Sequence, residues 1–95
     1  MDIHITDEAM HWFEDEMGCL PGDYIQFFVR YGGNSTIHPG FSLGLKKAEP
    51  YEVGKEIVKD NLHFYYEERD EWYFDGHMLT VGYDKTLDEI TYEYV

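Results

Sequence analysis

The stretch Phe27-Phe28-Val29-Arg30-Tyr31-Gly32-Gly33-Asn34-Ser35-Thr36 constrains this chain more than any other. It begins as a dense apolar run and breaks into a small, polar, glycine-rich loop. A strand that delivers such a loop either presents backbone to a ligand or turns a corner, and the residues alone leave both readings open. The apolar part is aromatic, and that is general: of 95 residues, nine are Tyr, six Phe and two Trp. Aromatic side chains favour strands. Tyr in particular sits half-buried, with its hydroxyl reaching water or a partner. A thin, sheet-based core is therefore expected in a chain this short.

Periodicity supplies the elements. Ile3 and Ile5 flank His4 in a short β-like segment. Thr6 is a candidate N-cap, with Asp7 and Glu8 in the first turn, where the helix dipole favours acids. Ala9, Met10, Phe13 and Met17 recur at spacings of three and four, which predicts a helix over 7–17. Gly18 stops it, and Pro21-Gly22-Asp23 turns the chain. A strand follows over 24–31, then a loop over 32–40. Phe41, Leu43 and Leu45 alternate with Ser42 and Gly44 as a half-buried strand. Asp60-Asn61 joins Ile57-Val58 to Leu62–Tyr66 in an expected hairpin. Residues 67–73 suit one or two helical turns, and Phe74-Asp75-Gly76-His77 suits a turn. Leu79, Val81 and Tyr83 alternate, as do Ile90, Tyr92 and Tyr94. The expected architecture is mainly β: a compact sandwich or small pseudo-barrel of about six to seven short strands after one N-terminal α-helix, forming a single domain over 1–95. A mixed α+β roll is the alternative.

Charge narrows the partners. Twenty acids against seven bases give a formal charge of −13. Nucleic acid and anionic membrane both require basic patches, so neither is an expected partner. A protein partner is possible, through an acidic and aromatic surface. Oligomeric state is left open. No run approaches the ~18 apolar residues of a membrane span. The N-terminus has no signal-peptide pattern. The one cysteine, Cys19, forms no intrachain disulfide and fits a reducing cytoplasm.

Chemistry is sparse. In the 32–40 loop, Gly32 and Gly33 permit positive φ and close backbone approach. Their amides, with Arg30 alongside and Asn34, Ser35, Thr36 and His38 as hydrogen-bonding groups, form a candidate anion nest. The simpler reading is a long turn between two strands. The loop has no Gly-Lys-Ser/Thr and precedes a strand, so it is no P-loop. His4, His11, His38, His63 and His77 have no metal-ligand spacing. Glu67-Glu68-Arg69-Asp70-Glu71 lacks the order of a calcium loop and reads as a solvated face. Phe64-Tyr65-Tyr66 and Trp72-Tyr73-Phe74 read as core and rim, or as part of a protein interface. No metal, cofactor or catalytic residue is assigned.

Three landmarks carry a family resemblance. Ile5-Thr6-Asp7-Glu8-Ala9 opens a helix, a strand ends in Val29-Arg30 before a glycine-containing loop, and Phe74-Asp75-Gly76 precedes a later strand. In this order and spacing they resemble the HesB-like, A-type iron–sulfur carrier family over nearly the whole chain. The resemblance implies a compact, mostly β domain after an N-terminal helix. It also implies a cluster held by three cysteines, one at or beside Asn34 and two in a Cys-Gly-Cys segment near Tyr94-Val95. Neither place carries a thiolate here. A divergent, short, acidic branch that kept the fold and lost the ligands is thus the leading expectation: a non-catalytic accessory or binding protein related to iron–sulfur cluster biosynthesis. The alternatives are an acidic protein-interaction adaptor with no metal, and a small-ligand binder or enzyme using the 32–40 loop.

Overall fold

Alternation of apolar and polar residues forces most of this chain into strands with one buried face. The computed structural model describes residues 3–95. It contains β1 (Ile3–Ile5), α1 (Asp7–Asp15), β2 (Tyr24–Asn34), β3 (Pro39–Lys47), β4 (Val53–Lys59), β5 (Leu62–Glu67), α2 (Glu71–Phe74), β6 (Leu79–Asp84) and β7 (Glu89–Tyr94), with a 3-10 turn over Glu68–Asp70. One sheet has the order β1-β6-β7 and the other β3-β2-β5-β4. The expected β-dominated class, with an N-terminal helix, is what the chain adopts. A second short helix, α2, accounts for the helical turns expected near 67–73.

Local chemistry sets the helix ends and turns. Thr6 is extended (φ −71°, ψ 159°), and its side chain accepts from the Ala9 amide at 3.2 Å. The helix ends at Asp15, two residues before the expected Met17, and Gly18 follows with φ +68°. The β4–β5 hairpin turns through Asp60 and Asn61 at φ 51° and 64°. Two residues at positive φ give a turn whose twist matches that of the flanking strands. Asp75 (φ 47°) and Gly76 (φ 79°) end α2, and the His77 amide returns to the Phe74 carbonyl at 2.8 Å.

The two sheets meet in one core. Ile3, Ile5, Leu79 and Val81 come from the three-stranded sheet, and Ile25, Phe27, Leu43, Leu62, Phe64 and Tyr66 from the other. Phe64 lies at its centre, 5.0 Å from the Phe13 ring of α1 and 6.3 Å from Phe27. Phe27 in turn meets Tyr92 of β7 at 6.1 Å. The pairings that join distant parts of the chain are parallel: β1 with β6, and β2 with β5 over Tyr24–Gln26. Where the sheets approach each other laterally they leave two clefts. One, of about 600 Å³, lies between β1 and β4. The other, of about 430 Å³, lies between β7 and the β2–β3 hairpin.

β3 and β4 occupy opposite edges of their sheet, so residues 48–52 must cross it. They cross on the side away from the core. Tyr65 faces that side, is fully buried, and donates to the Ala48 carbonyl at 2.6 Å. Glu67 shares the face. Its buried carboxylate accepts the amides of Tyr51 (2.9 and 3.1 Å) and Glu52 (3.1 Å to each oxygen). A buried carboxylate is tolerated only when hydrogen-bonded. Here the acid pins the crossover to the sheet.

Two outcomes are expected. Glu67→Ala removes the charged acceptor of the Tyr51 and Glu52 amides and lowers stability by about 2 kcal/mol, read from the urea midpoint at unchanged slope. Burial, with smaller contributions from Glu67, Glu49 and Glu56, pushes the Tyr65 phenol from 10.0 up to about 12. The folded state therefore holds that proton more tightly than the unfolded chain. The resulting stabilisation is full below pH 10 and disappears as pH rises towards 12. Far-UV circular dichroism should show alkaline unfolding in that window, less steep in Tyr65→Phe.

Candidate functional site

The hairpin joining β2 and β3 is shorter than the sequence indicates. β2 continues through Gly32 and Gly33 to Asn34, and β3 starts at Pro39, so the expected 32–40 loop contracts to 35–38. The ladder register shifts between Tyr31 and Asn34, where Gly32 and Gly33 take φ +101° and +67°. This is a bulge that glycine makes inexpensive. A Cβ at Gly33 would lie 3.2 Å from Ser42 Oγ, so the position also sits close to the facing strand.

The polar groups at the tip serve the turn. The His38 amide donates to Ser35 Oγ at 3.0 Å, and Ser35 Oγ donates to the His38 carbonyl at 3.1 Å. The Gly40 amide donates to Asn34 Oδ1 at 3.2 Å. Thr36 is exposed at the tip. Arg30 is exposed on β2, with its Cδ 2.7 Å from where a Cβ would stand at Gly44. Asn34, Ser35 and Thr36 also line the 430 Å³ cleft with Ser42, Leu43, Tyr92 and Tyr94. Burial raises the Tyr92 phenol against a smaller opposing effect of Arg30. Burial raises Tyr94 too, helped by its 3.0 Å hydrogen bond with the Tyr73 hydroxyl.

What the hairpin presents outward is aromatic. Tyr31 is 92% exposed, and its ring lies 5.0 Å from Phe41 on the facing strand. Phe41 lies 5.5 Å from Trp72, which is 51% exposed. His38 packs against Trp72 at 5.3 Å and Tyr73 at 5.4 Å. Tyr31, Phe41, Trp72 and His38 thus form one continuous row on the surface. Two segments some thirty residues apart build it, the hairpin and α2.

The row is held firmly from below. Tyr73 is fully buried between His38 and Tyr94, and Phe74 stacks on Tyr66 at 4.0 Å. Asp70, just before α2, accepts the Val29 amide at 3.3 Å. The β2–β5 ladder ends at Gln26 and Tyr65, so this carboxylate takes over an edge amide that β5 does not reach. The expected division of the aromatic residues into core and rim or interface therefore runs within one tripeptide: Tyr73 and Phe74 are core, and Trp72 is surface. Phe64, Tyr65 and Tyr66 are all buried.

The remaining candidates disperse. Among the described residues, no three His, Cys, Asp or Glu side chains are placed to hold a metal ion. His63 pairs with Glu56 at 2.8 Å and stacks on Tyr24 at 4.2 Å, far in the fold from the hairpin tip. Cys19 is buried, and burial raises its thiol pKa. Among the described residues, no helix is long and apolar enough to cross a membrane.

Comparison with known proteins gives full-length relatives. The chain is 44% identical over 94 residues to a Bacillus subtilis protein named pyruvate dehydrogenase inhibitor, covering 99% of each. It is 39% identical over 95 residues to an uncharacterized protein of Staphylococcus saprophyticus, covering 97% of each. An uncharacterized Staphylococcus aureus protein is 36% identical over the same length, again with 97% of each covered. No family model matches. These findings overturn the HesB-like reading and the link to iron–sulfur cluster biosynthesis that rested on it. The landmarks behind it have local explanations. Thr6 is an N-cap, Val29-Arg30 precedes a glycine bulge, and Asp75-Gly76 is a left-handed helix stop. Such solutions recur in unrelated folds.

Asp70→Ala should release the Val29 amide and loosen α2 beneath the row. The expected loss is about 1 kcal/mol in denaturant unfolding, with faster hydrogen exchange at Val29.

Proposed function

The chain belongs to the family of the Bacillus subtilis pyruvate dehydrogenase inhibitor, and from that premise we propose that it is a protein-binding inhibitor of a pyruvate dehydrogenase complex, not an enzyme. It acts by docking the Tyr31–Phe41–Trp72 row on the complex. The observation that carries this reading is the half-exposed Trp72, stacked edge-on to Phe41 and seated on the buried Tyr73. Exposed Trp and Tyr held rigidly are the residues from which binding hot spots are built, because they bury much area at little entropic cost.

In this reading the hairpin tip is a mount. Gly32 and Gly33 shape the bulge beside Tyr31, while Asn34, Ser35 and His38 close the turn that carries Phe41 into line. Arg30 flanks the row on β2. The protein works in the cytoplasm, where an unpaired Cys19 is compatible with a reducing environment. The acidic, aromatic adaptor envisaged from sequence thus becomes an adaptor whose binding blocks an enzyme.

The test is direct. Purified protein added to pyruvate dehydrogenase complex should lower the rate of NAD⁺ reduction in a saturable way. Trp72→Ala should weaken that inhibition by about tenfold or more while leaving the fold intact. Undiminished turnover at saturating wild-type protein would refute the reading.

A further inference from the structure

Resting on the reading that the Tyr31–Trp72 row binds protein, we infer that its occupant is a cationic segment, with an arginine side chain seated on the exposed rings. Tyr31 and Trp72 are 92% and 51% exposed, and the negative face of an aromatic ring attracts cations. The surroundings reinforce that attraction. Glu68, Glu71 and Asp75 are exposed in and beside the short segment that carries Trp72. The one base of that segment, Arg69, lines a different depression, with Tyr51, Glu52 and Glu67. An arginine suits both features together, since a planar guanidinium stacks on an aromatic ring while pairing with a carboxylate.

Charge also decides against the competing occupants. A second copy of the chain would bring two bodies of −13 together. Nucleic acid and anionic lipid are repelled for the same reason. Five of the seven bases, Arg30, Lys46, Lys47, Lys55 and Lys59, lie on β2, β3 and β4, whereas the segment 67–75 that carries Trp72 holds Glu67, Glu68, Asp70, Glu71 and Asp75 against Arg69 alone, so the attraction for a cation is centred at the Trp72 end of the row. A basic protein segment is the occupant that this distribution attracts, and the attraction must fall as salt screens it.

The experiment uses the whole chain in a Trp12→Phe background, which leaves Trp72 as the sole indole. The probe is the acetylated peptide Arg-Gly-Arg-Gly-Arg, with Glu-Gly-Glu-Gly-Glu as control. The arginine peptide should change Trp72 emission saturably, and the acidic peptide should not. Affinity should fall several-fold between low and high salt, and about fivefold or more in Tyr31→Ala or Glu71→Gln. Tyr31 is almost wholly exposed, so its removal spares the fold. Unchanged emission with the arginine peptide overturns the inference. So does binding that salt leaves untouched, or a self-association that strengthens with salt and is lost in Tyr31→Ala. Parallel inhibition assays on the pyruvate dehydrogenase complex separate the two claims. Peptide binding without inhibition refutes only the inhibitor reading. Salt-insensitive inhibition that Tyr31→Ala and Glu71→Gln leave unchanged refutes only the cationic occupant.

Discussion

The burial of β5 on both faces is the constraint on which the rest of this fold depends. Phe64 and Tyr66 face the core, where Phe64 meets α1 and β2, and Tyr66 stacks on Phe74 of α2. Tyr65 and Glu67 face the other way and hold the crossover that links β3 to β4. A strand exposed to water on one face needs apolar residues at every second position only. β5 instead buries Phe64, Tyr65, Tyr66 and Glu67 in succession, because a five-residue connection lies over its outer face. The polar atoms buried there, the Tyr65 hydroxyl and the Glu67 carboxylate, are satisfied by the backbone they cover. This is the condition under which such groups can be taken out of water.

The same strand positions the exposed aromatic row. It runs directly into the 3-10 turn and α2, so Trp72 is placed by the end of β5, and Tyr31 and Phe41 by the neighbouring β2–β3 hairpin. Tyr73 and Asp70 link the two parts, one by packing and one through an edge amide. The result is an exposed surface on a rigid base. Side chains that are already ordered lose little freedom on binding, which is how a small patch gains affinity.

Charge is organised by the same topology. The parallel pairing of β1 with β6 brings α1, near the N-terminus, beside the β6–β7 turn near the C-terminus. Lys85 meets Glu8 there at 3.4 Å. Glu8, Asp15 and Glu16 of α1 and the residue after it thereby line one depression with Tyr83 and Lys85 at the end of β6. The strands of the four-stranded sheet hold most of the lysines, with five bases against Glu56 and Glu67. Acids at one end of the sequence are thus brought beside the opposite end by a tertiary pairing.

Sequence by itself determined the elements whose signal is local. Alternation marked β1, β3, β6 and β7, the Thr6 cap and the Ala9–Phe13 spacing marked α1, and Asp60-Asn61 marked the β4–β5 turn. It also determined the charge and the absence of thiolate ligands at Asn34. It overstated the hairpin loop, because glycines that permit a loop equally permit a bulge within a continuing ladder. It suggested the HesB-like family because caps, bulges and helix stops have few chemical solutions and recur wherever the backbone needs them. Only the tertiary structure decided the parallel β1–β6 and β2–β5 pairings, the crossover on Tyr65 and Glu67, and which member of Trp72-Tyr73-Phe74 meets solvent. Those outcomes depend on contacts between residues far apart in the chain. Burial of an aromatic residue is decided by what arrives to cover it, and the residues that cover Tyr65 and leave Trp72 bare are nowhere near them in sequence.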